Sequence, residues 1–348
     1  MEIDFSEIAY LQDPSWQDLH ADYEQFLLSM IGPTVIDITG KNTHRCRVIT
    51  TLLQGSEPSG LIALHRWLTT RDVKELPAAN LRFIICSVEA ACVKPLLSTP
   101  FLDGTIDINR CFGETEHDEI EKYPGCYERA QLIEQAIQDV TPEMIIDFHN
   151  APSPSPAFAI SSVITTETLS LASLFCQTLV LSNLQLGSLM EQSFSCPFIT
   201  LECGGRFDEQ AHEIAYASIC HIANVENIDN IQQEKNVEII YPPLRLQINE
   251  GVELSYAEQD EGNSGLTLKK NIEYFNFGGA NKDEMIGWID GKGTKNLNLL
   301  NKQGCNIIDE YFYTRENQLV CKQNLRIFKA TADKDAALSD CLFYVVNK

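Results

Sequence analysis

Apolar residues follow two different periodicities along the first two thirds of the chain. Spacings of three and four residues indicate amphipathic helices, and these fall at 15–30, 58–68, 127–140, 168–180 and 211–228. Short apolar runs rich in β-branched and aromatic residues indicate buried strands, and these fall at 35–38, 47–53, 81–88, 144–148 and 198–201. Because strands and helices alternate, we predict an α/β fold in which helices flank a mainly parallel mixed sheet.

The pattern changes after about residue 236. Short apolar stretches then alternate with turns rich in Gly and Asn, as at 261–265 and 290–293, and long helical periodicity disappears. We therefore predict two domains, an α/β domain of catalytic type at 1–235 and a smaller β-rich domain at 236–348. A length of 348 residues suits two domains better than one.

Four polar clusters follow apolar runs or lie in the long irregular segment 90–123. Open α/β sheets place their sites at the carboxyl ends of strands, and long irregular segments in a compact domain are usually functional. The clusters are Gln54–Gly60, Asp107–Phe112, Asp147–Asn150 and Glu202–Gly205. Together they predict one metal hydrolase site, since such a site needs ligands on stiff elements, an open position for water and a base.

Three residues of these clusters have side chains suited to metal binding or proton transfer. Glu57 opens a helix and His149 ends a strand, so both are candidate metal ligands; the alternatives are a charge favourable at a helix N-terminus and a capping or hydrogen-bonding His. Glu202 closes a strand and is a candidate general base, or else an acceptor for backbone N–H groups of its loop. Asp147 faces the same side as His149 and would orient the site or form an ion pair.

Asn109 and Arg110 pair an amide with a guanidinium. Arg binds carboxylates through two parallel hydrogen bonds and Asn adds a donor, so the pair is a candidate site for a substrate carboxylate. The alternative is that Arg110 pairs with the acidic surface of the chain.

In order and in residue types the four clusters resemble motifs of the succinylglutamate desuccinylase/aspartoacylase family, a branch of the zinc carboxypeptidase-like hydrolases. They read Gln54-Gly55-Ser56-Glu57-Pro58-Ser59-Gly60, Asp107-Ile108-Asn109-Arg110-Cys111-Phe112, Asp147-Phe148-His149-Asn150 and Glu202-Cys203-Gly204-Gly205. The resemblance covers roughly residues 35–225. It implies the α/β fold of that family with a β-rich C-terminal domain.

The resemblance also implies a function for each cluster. Glu57 and His149 would be ligands of one zinc ion, Glu202 the general base, and Asn109 and Arg110 the binding site for a substrate carboxylate. The implied reaction is hydrolysis of the amide or ester bond of a small N-acyl amino acid or similar acidic compound, with metal-bound water as the nucleophile.

Two positions depart from the motifs of the family. Gln54 stands where the family has its first zinc-binding His, and a neutral amide oxygen is a weaker zinc donor than imidazole. His44 precedes the strand and His65 lies along the following helix, so neither is an obvious replacement. The family also has an Arg shortly before its second motif, where this chain has Leu102 and no basic residue.

These departures leave two hypotheses for function, one catalytic and one non-catalytic. One is a divergent zinc hydrolase in which Gln54 is a weak third ligand. The other is a non-catalytic protein that binds a small acidic ligand on the same scaffold. Cysteine catalysis through Cys203 or Cys111 is disfavoured, because no Cys/His signature accompanies either residue and packing explains both.

The composition narrows the partners. The net charge of −23 makes nucleic acid and anionic membrane surfaces poor partners, although a local Arg can still create a pocket for a small acidic molecule. The 12 Cys form no C-x-x-C pair, the N-terminus lacks a secretory pattern, and no apolar run approaches the ~18 residues of a membrane span. We therefore expect a cytoplasmic protein with reduced thiols. A homo-oligomer is compatible with the sequence.

Overall fold

The computed structural model describes residues 4–15, 17–113, 117–227, 236–262 and 264–348. Trp16, Asn263 and the last residue of the helix predicted at 211–228 lie outside these ranges. The chain forms two compact units, one of residues 1–150 and 157–239 and the other of residues 151–156 and 240–348.

The segment 151–156 is part of the second unit because of its hydrogen bonds. The buried Ser153 hydroxyl donates to Ala330 O at 2.6 Å and accepts from Asn276 Nδ2 at 2.9 Å. The change of sequence pattern near residue 236 predicts a single boundary. The prolines of segment 151–156 mark it as an extended loop, but nothing in the neighbouring sequence indicates its partners.

A nine-stranded mixed sheet forms the centre of the first unit. Its strands are β1 (Ala9–Gln12), β2 (Thr34–Ile38), β3 (Asn42–Thr51), β4 (Ala79–Ile85), β5 (Met144–Ala151), β6 (Phe158–Ser161), β7 (Thr178–Leu181), β8 (Phe198–Gly205) and β9 (Glu238–Ile240). Their order across the sheet is β1-β2-β4-β3-β5-β8-β6-β7-β9. Strand β3 pairs in parallel with both β4 and β5, as β1 does with β2 and β6 with β7. Only β2/β4 and β6/β8 are antiparallel among the pairs described here. The predicted sheet is confirmed.

Helices cover both faces of this sheet. They are α1 (Tyr23–Ser29), α2 (Ser59–Thr70), α3 (Val88–Ala91), α4 (His117–Lys122), α5 (Pro124–Gln138), α6 (Thr166–Ser173) and α7 (Glu209–Asn224). Because strand side chains alternate, Ile49 and Ile146 pack in a core with α1, α2, α6 and α7, whereas Val48 and Ile145 pack in a second core with α5. Within the described ranges, none of the helices has the length and apolar character that a membrane span requires.

The second unit is rich in β-structure, as predicted. One sheet has the order β14-β10-β18-β17 and the other β11-β12-β13-β16-β15. The strands are β10 (Leu244–Ile248), β11 (Leu254–Ala257), β12 (Leu266–Lys269), β13 (Met285–Ile289), β14 (Leu297–Leu299), β15 (Phe312–Arg315), β16 (Gln318–Cys321), β17 (Leu325–Phe328) and β18 (Phe343–Asn347). Two short helices complete the unit, α8 (Ile308–Tyr311) and α9 (Lys334–Ser339).

The order of the strands in the large sheet reverses at β3. After β3 the chain runs through α2 to β4 on one side, and later through α5 to β5 on the other side. All three strands run in the same direction, so the carboxyl ends of β3 and β5 lie side by side where the strand order reverses. Open α/β sheets bind ligands at such a point.

Two predicted helices differ from the structure. Helix α1 begins at Tyr23 rather than near residue 15, because Asp22 caps it and Asp18 accepts a hydrogen bond from Ser15 N in a separate turn. Helix α6 ends at Ser173. The apolar stretch that extended its predicted range to 180 forms β7, which pairs with β6.

Candidate active site at the carboxyl ends of β3 and β5

Close backbone packing constrains the turn that follows β3. Leu52 is buried and adopts the left-handed region, with φ at 55°, and Ser87 N donates to its carbonyl oxygen at 2.8 Å. At Gly55, a Cβ atom would lie 2.6 Å from Ala91 N, so only glycine fits. Strained backbone of this kind clusters at functional sites.

The first turn of α2 packs directly against the sheet. A Cβ atom at Gly60 would lie 2.1 Å from Thr51 Oγ1 and 2.9 Å from Phe148 Cβ, so this glycine permits the close approach of α2 to β3 and β5. Glu57 stands just before Pro58, which occupies the N-cap position of α2. The glycines of the motif thereby hold Glu57 at the strand ends.

His149 is held between two carboxylates. Its Nδ1 lies 2.7 Å from Glu57 Oε2 and its Nε2 lies 2.7 Å from Asp147 Oδ2, and all three side chains are buried. Burial opposes a charge on the ring, but the two carboxylates outweigh it and hold the pKa of His149 well above 6.5. Thr50 Oγ1 donates to Asp147 Oδ1 at 2.6 Å, which fixes the orientation of the triad from β3.

Asn150 connects Glu57 to α2 and to β8. Its backbone N–H donates to Glu57 Oε2 at 3.1 Å, and its amide donates to Ser59 Oγ at 2.7 Å and to Gly204 O at 3.1 Å. Ser59 Oγ lies 2.8 Å from His212 Nδ1, and burial lowers the pKa of His212.

The sequence pattern assigns no function to Asn150, Ser59 or His212. Asn150 and Ser59 stand inside two of the motifs, which was the available signal. His212 lies on α7, where nothing in the helical pattern marks a partner 153 residues away.

Asp107 organises the turn that carries Asn109 and Arg110. Its Oδ1 accepts from Asn109 N at 2.8 Å, whereas its Oδ2 accepts from Gln54 Nε2 at 2.6 Å and lies 3.6 Å from Arg110 Nη1. Arg110 Nη1 also donates to Asn109 O at 2.7 Å. Asn109 Nδ2 lies 3.5 Å from His149 Nε2. Gln54, Asn109, Arg110 and His149 therefore belong to one connected cluster.

Glu202 lies on β8, the neighbour of β5 in the sheet. At the start of β5, Ile145 N donates to Pro197 O, just before β8. Near the end of β5, Asn150 Nδ2 donates to Gly204 O, near the end of β8. The two strands therefore run in the same direction, and Glu202 comes level with His149.

The faces of these two strands also correspond. Phe148 and Cys203 pack in the core beneath α2 and α7. Because side chains alternate along a strand, their sequence neighbours His149 and Glu202 face the other side of the sheet. Burial raises the pKa of the Cys203 thiol, and the charges of Glu202 and Glu57 raise it further.

The two cysteines considered as nucleophiles are buried. Contact with Cys126 and burial raise the pKa of Cys111, whose Sγ donates to Asp107 O at 3.5 Å. Cys203 is fully buried and its pKa is raised as well. A nucleophilic Cys needs a lowered pKa and access to substrate, so neither thiol has the surroundings of one.

The donors present do not fit a resident zinc ion. In the part of the chain that the structure describes, no group of three or more His, Cys, Asp and Glu side chains could hold a metal. Glu57 and His149 contact each other directly at 2.7 Å, whereas ligand atoms at zinc–ligand distances of about 2.0–2.1 Å in tetrahedral geometry lie roughly 3.3 Å apart.

Among the residues that the structure describes, neither His44 nor His65 replaces the missing third donor. The Gln54 amide donates to Asp107, as described above. His44 is exposed near the start of β3. His65 is buried in α2, where its Nε2 lies 3.1 Å from Leu19 O.

Comparison with known proteins finds matches in structure but not in sequence. No family model matches the chain, and no curated protein matches it. The solved succinylglutamate desuccinylase from Vibrio parahaemolyticus matches with a TM-score of 0.56 and 15% identity over 94% of each chain. The enzyme of the same name from Chromobacterium violaceum has a TM-score of 0.56 and 12% identity over 94% of this chain and 98% of that one.

A succinylglutamate desuccinylase/aspartoacylase from Rhodobacter sphaeroides matches with a TM-score of 0.51 and 14% identity, over 86% of this chain and 83% of that one. Identities this low establish a likeness of fold. The resemblance that the four motifs predict is confirmed at that level: this chain has the fold of the succinylglutamate desuccinylase/aspartoacylase family.

Proposed function

We propose that this chain hydrolyses the acyl bond of a small acidic N-acyl compound, with Arg110 and Asn109 binding its carboxylate and Glu202 acting as general base. The observation that supports this proposal is the connected cluster at the carboxyl ends of β3 and β5. It joins Gln54, Asn109, Arg110 and His149 from three distant segments, at the edge of the sheet where α/β proteins bind ligands.

Arg110 supplies the positive charge for the substrate. Its side chain is 30% exposed, and Asn109 O and Asp107 hold it from the protein side. In a chain with a net charge of −23, binding of an anion requires a cation placed locally. The structural relatives are named for succinylglutamate and for acylated aspartate, so N-succinylglutamate and N-acetylaspartate are the first compounds to test.

The chemistry proposed uses groups of this chain alone. Glu202 would take a proton from the attacking water and give it to the nitrogen of the leaving amine as the acyl C–N bond breaks, a transfer that contributes typically ~10²–10⁴-fold. Metal-bound hydroxide is not part of this proposal because the donors do not fit zinc.

A second candidate is binding of the same acidic compound without turnover. The direct contact between Glu57 and His149 favours it, because both side chains engage each other rather than a reacting group. The two candidates differ in Glu202, which matters for turnover and not for binding.

The test is hydrolysis of N-succinylglutamate and N-acetylaspartate, followed by amine release, together with the thermal shift that each compound produces. We expect Glu202→Gln to lower kcat at least ~100-fold and to keep the thermal shift. Arg110→Ala should weaken binding ~10–100-fold, the value of a charge-assisted hydrogen bond, with partial recovery in Arg110→Lys. Arg315→Ala, at an exposed position on β15, is the matched control.

The results separate the two candidates. Turnover that survives Glu202→Gln would refute the hydrolytic proposal. A thermal shift without turnover, lost in Arg110→Ala, would establish the second candidate. Neither candidate survives if the compounds bind equally well to wild type and Arg110→Ala.

A further inference from the structure

The Gln54 side chain makes one of the shortest contacts in the cluster. Its Nε2 lies 2.6 Å from Asp107 Oδ2, and Asp107 Oδ1 accepts from Asn109 N at 2.8 Å. Asp107 is buried, so the loss of the Gln54 donor would leave a carboxylate oxygen short of a partner. Gln54 therefore supports the turn 107–110 from the end of β3.

This contact connects Gln54 to the group that would bind the ligand. Arg110 Nη1 lies 3.6 Å from the same Asp107 oxygen that accepts from Gln54. A change at residue 54 therefore reaches Arg110 through one intervening carboxylate. The span between Gln54 and Asp107 is 53 residues, and it joins the turn after β3 to the irregular segment after α3.

The same region lacks the spacing that a metal requires. Glu57 Oε2 and His149 Nδ1 are joined directly at 2.7 Å, a hydrogen-bond length. A zinc ion between them would need the two atoms roughly 3.3 Å apart and a third strong donor beside them. In the motif that the sequence resembles, Gln54 stands at the position of that donor, and its amide donates to Asp107 instead.

We propose that Gln54 is a positioning residue for the carboxylate-binding turn 107–110, and that the site binds its acidic ligand without a zinc ion. The identity of the ligand rests on the function proposed above. The metal part does not, because zinc binding can be measured without any substrate.

The first experiment measures zinc by titration calorimetry and by elemental analysis after dialysis. Wild type is expected to hold no stoichiometric zinc. Gln54→His supplies the strong third donor that wild type lacks, so that zinc can displace the hydrogen bond between Glu57 and His149, and should bind zinc about 100-fold more tightly than wild type. The double variant Gln54→His/His149→Ala should lose that gain, which separates this site from surface thiols and histidines.

The second experiment measures binding of N-succinylglutamate in buffer with a chelator. Wild-type affinity should be the same with and without the chelator. Gln54→Leu should weaken binding about 10-fold, and Gln54→Glu should weaken it further because it sets a second carboxylate against Asp107. Gln135→Leu is the matched control, because Gln135 donates to Asp139 at 2.6 Å on the exposed face of α5.

Three results would overturn the proposal. The first is that wild type holds one zinc ion per chain and that His149→Ala removes it. The second is that folded Gln54→His binds zinc no more tightly than wild type. The third is that Gln54→Leu binds the ligand with unchanged affinity. If Gln54→His does not fold, the wild-type zinc content still decides the metal part. If wild type binds neither test compound, the proposed function fails on its own and the zinc measurement still stands.

Discussion

Replacement of Asn150 by Asp tests whether the hydrogen bonds of this residue hold the site together. The side chain is buried and makes three hydrogen bonds: it accepts from Ser59 N at 3.0 Å and donates to Ser59 Oγ at 2.7 Å and to Gly204 O at 3.1 Å. Asp has nearly the same shape, so Asn150→Asp removes the two donors without creating a cavity. It also sets a carboxylate against a carbonyl oxygen and near Glu57.

The magnitude follows from those two lost donors. A buried polar group left without its partner costs about 1–3 kcal/mol, so the variant should lose roughly 2–6 kcal/mol of unfolding free energy near neutral pH. The charged form of the introduced carboxyl is disfavoured at this position, which raises its pKa above that in the unfolded chain. The folded variant then binds the extra proton, so its deficit should shrink as the pH falls.

Urea unfolding followed by circular dichroism at about pH 7.5 and about pH 5.5 measures both effects. Asn224→Asp is the matched control, because Asn224 is exposed and donates only within α7, to Cys220 O. It should change the unfolding free energy by less than ~0.5 kcal/mol. A deficit in Asn150→Asp no larger than that of the control, or one that grows in acid, would refute the reasoning.

Two further predictions concern buried charges. Arg47 is fully buried and donates to Glu143 at 2.6 Å, to Val225 O at 2.6 Å and to Ile222 O. Arg47→Met should therefore lower the free energy of unfolding, measured in urea, by about 3–5 kcal/mol. A loss below ~1 kcal/mol would show that these contacts contribute little to stability. The pKa of His149 is raised by Asp147 and Glu57 despite burial, so the stability from this pairing is fully present below pH 6.5 and is lost as the pH rises through the raised pKa. The gap in unfolding free energy between wild type and His149→Gln should narrow in that direction, and a gap that widens would contradict the assignment of charge.

Much of the architecture could be predicted from local pattern. The strand ending at His149 and the helix opening after Glu57 follow from apolar periodicity, which needs only a few neighbouring residues. Where the apolar periodicity predicted the wrong bounds of a helix, a different interaction set those bounds. Asp22 starts α1 later than the apolar spacing indicates, and pairing with β6 turns residues 178–181 into a strand.

The candidate site could be predicted only in part. Glu57, Asn109, Arg110, His149 and Glu202 were identified because carboxylate, amide, guanidinium and imidazole groups at strand ends or in loops carry a signal of their own. The sequence likewise shows Gln54 to be a departure from the family motif, but it does not show that Asp107 is the partner of Gln54. The contact with Asp107 depends on how the irregular segment folds back onto the end of β3.

The sequence by itself determined the order of strands and helices and the residue types that stand at the carboxyl ends of the sheet. The tertiary structure decided which of those groups touch: Glu57 with His149, Gln54 with Asp107, and Ser59 with His212. The physical reason is range. Periodicity and capping act over a few residues, whereas these pairs join residues 53 to 153 positions apart and form only when strand order and register bring them together.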